Sequence, residues 1–324
     1  MNFQHNTLMK IVTGSLGEIS LKIYINREPV AGPWGGGNKT ITNLSNKLKE
    51  LGHKVIHQLT DEDIDIIYCH DPRPNVYGEW YQHFLHHRVL FKSKIVQRVG
   101  DVGSHGKPDL YNLAKQTSNM SDFVVFPSEW AKEAIEFSKE NCEVIHNAPL
   151  KEFYKHRNTN TKPKFNIVTH HWSTNPKKGF HFYKFLDDFV GKNPEYSFTY
   201  IGRLPEGTKY NNINHIPATG NNEEIGRLLS ENSIYLSASE EEAGANHVLE
   251  GLAAGLPVVY RENGGSIDNY CKNYGYKFNN FNSMIEAINH VYGNYKNYKS
   301  KVLQYDNTID KVIDKYVEII CNIK

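Results

Sequence analysis

Short apolar runs alternate with stretches of helical spacing along the chain. LKIYI (Leu21 to Ile25) reads as a strand, and in NKTITNLSNKLKELG beyond it Ile41, Leu44, Leu48 and Leu51 recur at helical intervals before Gly52 ends the pattern. HKVIHQL, DIDIIYCH and KIVQRV predict three further strands. DFVVFPS and CEVIHN predict two more, with SEWAKEAIEFSKE between them as a helix capped by Ser128. Strand, helix and strand at this cadence predict βαβ units and a parallel sheet. The alternation stops in the polar, strand-poor stretch Ala148 to Lys164. It restarts with FNIVTHH, a helix near Gly179 to Val190, SFTYIG, EEIGRLLSEN, SIYLSAS, a helix from about Asn246 to Ala254, and LPVVY. Last comes TIDKVIDKYVEIICNIK, with Ile309, Val312, Ile313, Val317 and Ile320 on one helical face. The expected fold class is α/β, with two doubly wound units facing a cleft. The expected organisation is a first unit over 1–150, a linker over 151–164, a second unit over 165–300 and a C-terminal helical segment over 301–324. Ligands of open parallel sheets sit beyond the carboxyl ends of the strands, so both units should line the cleft.

The length of 324 residues agrees with two units at about 150 residues per domain. Thirty-seven basic against 36 acidic residues leave a net charge of +1, without the basic excess of a chain that coats nucleic acid. The four cysteines, Cys69, Cys142, Cys271 and Cys321, are far apart and form no CxxC, so neither a disulfide framework nor a zinc site is expected. The first residues, MNFQHNTLMK, lack the apolar core of a secretory leader, and no run of 18 apolar residues suggests a membrane span. A cytoplasmic location, with at most peripheral membrane contact, is the expectation. The sequons at Asn38, Asn43 and Asn119 then carry no meaning.

Two loops carry candidate chemistry. GPWGGGNKT follows a strand and opens a helix, where bare backbone N–H groups and the helix N-terminus suit an anion; a tight turn alone would need fewer glycines. It matches neither GxGxxG with a later acidic residue nor GxxxxGK[ST], which argues against dinucleotide-binding and P-loop chemistry. The second loop lies in SIYLSASEEEAGANHVLEGLAAGLPVVYRENGG. There Glu242 and Glu250 stand with seven residues between them, and AGAN leads into a helix. Free N–H groups at that helix start suit a diphosphate. A glutamate two turns inward suits ribose hydroxyls, and one before the loop suits a sugar on the phosphate. Glutamates alone would be ordinary solvated side chains; their setting is what distinguishes them.

That setting resembles the signature of the retaining glycosyltransferases of the GT-B fold, family four, whose E-x7-E motif runs into G-L-P-V-V and a GG. Here it reads Glu242-Ala-Gly-Ala-Asn246-His-Val-Leu-Glu250-Gly-Leu-Ala-Ala-Gly255-Leu-Pro257-Val-Val, then Gly264-Gly265. Gly35-Gly36-Gly37, VVFPSEWAKEAI, CEVIHNAPLKEFY and Lys178-Gly179 resemble further family segments. The resemblance implies that Lys178 contacts a donor pyrophosphate, that Glu250 holds the ribose and that Glu242 touches sugar hydroxyls near the reacting carbon. It implies that the backbone of Gly36, Gly37, Gly244, Ala245 and Asn246 faces the donor. Ser173 stands where the family has an Arg, so that phosphate contact is either missing or supplied by His171, Asn175 or Lys177. Arg98-Val-Gly-Asp101 replaces the usual His after the strand KIVQRV, so Asp101 is the candidate to face the sugar from the first unit.

The implied reaction moves a sugar from a nucleotide-diphosphate-sugar, UDP or GDP undecided, to a glycan or lipid-linked acceptor with retention. No cofactor and no metal are expected, since no HExxH accompanies the 16 histidines. Sugar-nucleotide epimerisation, an inverting transfer and a non-catalytic binding homologue stay open. His70-Asp71-Pro72-Arg73 reads equally as an acceptor contact or a turn. HFLHHRVLFKSK (His83 to Lys94) reads as a solvated basic helix face or, less simply, a membrane-contacting one.

Overall fold

The computed structural model describes residues 20–30 and 36–323. The opening MNFQHNTLMK and residues Gly32 to Gly35 of the glycine loop lie outside them. The first sheet is built from β1 (Lys22–Ile25), β2 (Lys54–Ile56), β3 (Ile66–Cys69), β4 (Lys94–Arg98), β5 (Phe123–Phe126) and β6 (Cys142–Val144). Its order is β2-β1-β3-β4-β5-β6, and every pairing is parallel. The second contains β7 (Asn166–His171), β8 (Ser197–Gly202), β9 (Asn214–Ile216), β10 (Ile234–Ser237), β11 (Val258–Arg261) and β12 (Gly275–Phe278), in the parallel order β12-β11-β10-β7-β8-β9. The winding reverses between β1 and β3 in the first sheet and between β7 and β10 in the second. Loops leaving the strand ends there diverge to opposite faces and open a crevice.

The helices are α1 (Gly36–Glu50), α2 (Tyr81–Phe91), α3 (Pro108–Met120), α4 (Glu129–Ala134), α5 (Phe180–Val190), α6 (Asn222–Ser230), α7 (Asn246–Ala253), α8 (Ser266–Cys271), α9 (Phe281–Gly293), α10 (Tyr295–Val302) and α11 (Ile309–Asn322). Because the sheets are parallel, helices cover both faces and the central strands are buried throughout, as in β3 and β10. Ser128 caps α4 by accepting from the Ala131 N–H at 3.0 Å, as its place before EWAKEA predicts. That helix is shorter than its pattern suggested. It stops at Ala134, and Glu136 turns the chain at φ 55°, which lets Ile135 and Phe137 both enter the core.

The C-terminal helix α11 crosses back to the first sheet. Val312, Ile313, Tyr316 and Ile320 pack with Ile41, Leu44 and Leu48 of α1 in one apolar cluster. The segment between the sheets is not a free spacer: Phe153, in a short 3₁₀ turn, is fully buried among Leu229, Leu249 and Leu252. Further contacts join the halves near the cleft. Ser128 Oγ donates to the Ala243 carbonyl at 2.8 Å, Ser104 Oγ to that of Glu241 at 2.7 Å, and His105 Nε2 to that of Glu240 at 2.9 Å. The segment Glu240 to Asn246, which belongs to the second half, is thus gripped by the first. No helix among the described residues is long and apolar enough to cross a membrane.

If α11 completes the first half's core, Ile313→Ala should destabilise the protein by about 2–4 kcal/mol, the usual cost of emptying a buried aliphatic site. Glu318→Ala on the exposed face should change it by under about 0.5 kcal/mol. Calorimetric unfolding of both variants checks this.

Candidate functional site

Both winding reversals open onto one cleft. From the second sheet, β7 ends in His170 and His171, and β10 leads into the Glu240–Asn246 segment and α7. From the first, α1 begins at Gly36, and β3 delivers His70. A cavity of about 300 Å³ lies between them, reached by Lys39, His170, Lys178, Glu242, Asn246 and Glu250.

Lys178 owes its place to a local device. The Asn175 side chain accepts from the Lys177 N–H at 2.9 Å and starts a 3₁₀ turn over Pro176–Lys178, which Gly179 ends at φ 80°. A Cβ on Gly179 would stand 2.3 Å from the Ala238 carbonyl oxygen, so only glycine lets this turn settle against the end of β10. Lys178 then donates from Nζ to Glu242 Oε1, with both side chains largely buried. Burial alone would raise the Glu242 carboxyl. The Lys178 ammonium outweighs that effect, with His247 and His105 adding to it, and holds the group at about 2 instead of 4.5.

Glu250 projects from the second turn of α7 and is 7% exposed. Lys39 of α1 reaches it across the cleft, with Nζ 3.1 Å from Oε1, and His170 Nε2 lies 2.7 Å from Oε2. A carboxylate only accepts, so His170 Nε2–H donates; in the neutral ring Nδ1 then accepts from the Tyr235 hydroxyl at 3.0 Å. Burial would again raise this carboxyl, and Lys39 and His170 bring it to about 2. Two neighbouring rings are uncharged at neutral pH. Burial presses His171 well below its ordinary value and His247 to about 3, and they hydrogen-bond to Tyr183 and Ser237 at 2.7 and 2.8 Å.

Backbone completes the cavity. The α7 N-terminus at Asn246 has no side-chain cap, so its leading N–H groups remain open to a ligand. Ala245 is different, because its N–H is already given to Ser266 Oγ at 3.0 Å. The α1 N-terminus meets that of α7: a Cβ on Gly36 would lie 1.6 Å from Asn246 Nδ2. A Cβ on Gly244 would lie 2.5 Å from Asn147 Nδ2 and 3.0 Å from Pro127 Cβ. Two helix N-termini, each equivalent to about half a positive charge, therefore converge beside two lysines. Each lysine is balanced by a glutamate, so the net field left over is that of the helix ends. Such a cavity suits a polyanion with a polyhydroxylated body.

Neither protein-family models nor curated proteins match this sequence. Solved structures do match the fold. HepE from Anabaena, in complex with UDP, has a TM-score of 0.67 at 14% identity, over 92% of this chain and 98% of that one. A glycosyltransferase from Rickettsia africae has a TM-score of 0.69 at 14% identity, covering 94% and 99%. WaaG, a glycosyltransferase of lipopolysaccharide biosynthesis, has 0.61 at 12%, covering 93% and 100%. The chain has the GT-B fold.

Within this GT-B frame, Gly36, Lys178, Glu242, Gly244, Asn246 and Glu250 all line the first cavity. Gly37 and Asp101 line a second one of about 260 Å³ beside it. The Asp101 carboxylate is engaged by Lys107 at 2.6 Å and the Gly103 N–H at 2.9 Å. Ser173 and His171 line the first cavity, whereas Lys177 pairs with Glu241 and Asn175 holds the His105 carbonyl at 3.2 Å. No arginine lines the first cavity among the described residues. Sequence reasoning missed Lys39, His170 and Arg98. The paired histidines ending FNIVTHH and the lysine closing the glycine loop were the available signals. Among the described residues no group of three or more His, Cys, Asp and Glu side chains is placed to hold a metal.

The ion pairs have a pH signature. Both glutamates have folded-state values below their unfolded ones, so their stabilising effect is complete above about pH 5 and is lost as pH falls toward 2. Lys178→Ala leaves Glu242 buried without a partner, at a cost of about 3 kcal/mol or more. Its carboxyl should then rise above its unfolded value, so the deficit should be largest near pH 7.5 and shrink toward pH 5. Thermal unfolding at the two pH values checks the reversal, and Lys178→Met/Glu242→Gln should recover most of the loss.

Proposed function

We propose that this protein is a retaining glycosyltransferase that moves a sugar from a nucleotide-diphosphate-sugar to a hydroxyl acceptor without a metal. The observation that carries the reading is the convergence of Lys178, Glu242 and the uncapped α7 N-terminus at the winding reversal of the second sheet. HepE, a structural neighbour, binds UDP, which favours uridine among the possible bases.

On this reading the diphosphate lies across the N-terminus of α7, with Lys178 Nζ and the N–H groups of Asn246 and its successors as donors. Glu250 accepts from the ribose hydroxyls and exchanges Lys39 or His170 for them. Glu242 accepts from hydroxyls of the transferred sugar while keeping Lys178 in place. As the glycosidic bond to the diphosphate breaks, negative charge grows on the leaving oxygen, where these fixed donors already point. Each charge-assisted hydrogen bond contributes roughly 1.5–3 kcal/mol, so three or four lower the barrier substantially. The acceptor hydroxyl attacks from the face the diphosphate leaves, and the departing phosphate oxygen takes its proton. Retention of configuration follows from that geometry. The acceptor enters from the first half, past Gly37 and His70, and a glycan or lipid-linked acceptor fits that open side.

Thermal unfolding with UDP, GDP and ADP in EDTA tests the donor site. At about 100 times its Kd one nucleotide should stabilise the fold by roughly 2.7 kcal/mol, and Glu250→Ala should abolish most of that gain. No stabilisation by any of the three would remove the donor reading.

A further inference from the structure

The second cavity contains a charge that the donor site does not use. Arg98, at the end of β4, is 4% exposed, yet no carboxylate lies within ion-pair distance of it among the described residues. Its hydrogen bond there runs from Nη2 to Asn147 Oδ1 at 3.0 Å, and Nε is buried with no partner. The neighbouring phenols of Tyr68 and Tyr316 do not balance it, because burial raises both and keeps them neutral. The cavity's two carboxylates are occupied elsewhere. Asp71 is held by Arg73 at 2.6 Å and Arg27 at 3.5 Å, and Asp101 by Lys107 at 2.6 Å.

Three further features face the same space. The first turn of α1 supplies Gly36 and Gly37 and contains no acidic residue to offset the helix N-terminus. A Cβ on Gly37 would stand 2.9 Å from His70 Nε2, so the α1 backbone and the imidazole lie in close approach there. The His70 ring, uncharged because burial and the nearby Arg98 press it to about 3, leaves Nδ1 buried without a partner. A buried guanidinium with no counter-ion is unfavourable in isolation, and an oxyanion in this cavity, which Arg98 and the first turn of α1 both line, offsets that charge and accepts from the α1 N–H groups.

We propose that this cavity is an anion subsite for a phosphate or carboxylate carried by the acceptor. It shares Gly36, Gly244 and Asn246 with the first cavity, so a group seated on Arg98 sets the acceptor against the reacting end of the donor. The identity of that acceptor rests on the proposed transfer reaction; the anion site itself does not.

The test is calorimetric titration of inorganic phosphate into the full chain saturated with UDP, at constant ionic strength. Saturable binding is expected, weakened about tenfold or more in Arg98→Gln, with UDP affinity within about twofold of wild type. Arg98→Lys should restore part of it. His70→Gln, which leaves the guanidinium in place, should weaken phosphate by a smaller factor and guards against a fold lost in Arg98→Gln. Phosphate binding equal in wild type and Arg98→Gln, or phosphate that only competes with UDP, would overturn the subsite. If UDP does not bind but phosphate does so through Arg98, the donor reading falls and the subsite stands. A loss in Arg98→Gln confined to UDP-glucuronate, with UDP-glucose unaffected, would put the anion on the donor sugar and overturn the acceptor assignment.

Discussion

Two carboxylates lie buried in the cleft, and each is kept ionised there by a cation from a different part of the chain. Glu242 faces Lys178, which a three-residue turn presents; Glu250 faces Lys39 from the opposite half and His170 from the end of β7. Buried charges are tolerated only when paired in this way. The backbone of Glu242 is fixed as firmly as its side chain: its N–H donates to the Gly264 carbonyl at 3.1 Å and its carbonyl accepts from the Ser266 N–H at 2.8 Å. The residues beside it are gripped by Ser104, His105 and Ser128 of the first half. The halves, the loop and the two charges therefore hold one another in register.

This arrangement has a chemical consequence. Groups that must stabilise growing negative charge are most effective when they are already oriented and water is excluded. Lys178 is oriented by Glu242, and the α7 N–H groups are oriented by the helix itself. A ligand entering the cavity need not reorganise them. Lys39 is the exception, since it spans the cleft to Glu250 and ties the halves together where no ligand intervenes. On the proposed reading, exchange of that ion pair for ribose hydroxyls would couple the position of α1 to occupancy of the cavity.

Much of this was legible in the residue pattern. The alternation of apolar runs and helical spacing anticipated most strands of both sheets. The Glu242–Glu250 stretch pointed to the cavity because motif and helix start coincide. What escaped had physical reasons. Helix α3 buries Leu110, Ala114, Thr117 and Ser118, a face too small and polar to stand out as amphipathic. Strand β9 is a three-residue edge with little burial. Lys39 and Arg98 look like ordinary surface cations in sequence, and only the folded chain brings one to Glu250 and hides the other without a partner. Asp101 was the natural candidate beyond β4, yet its carboxylate is drawn to Lys107 while the buried Arg98 carries the unbalanced charge.

The central claim is that the cleft holds a diphosphate on Lys178 and the α7 N-terminus. Calorimetric titration with uridine, UMP and UDP in EDTA tests it most directly. If the claim holds, affinity rises at each phosphate, and UDP binds at least about tenfold more tightly than UMP, the value of one charge-assisted hydrogen bond. Equal affinity for UMP and UDP would contradict it, because the second phosphate would then touch nothing that the structure has placed to receive it.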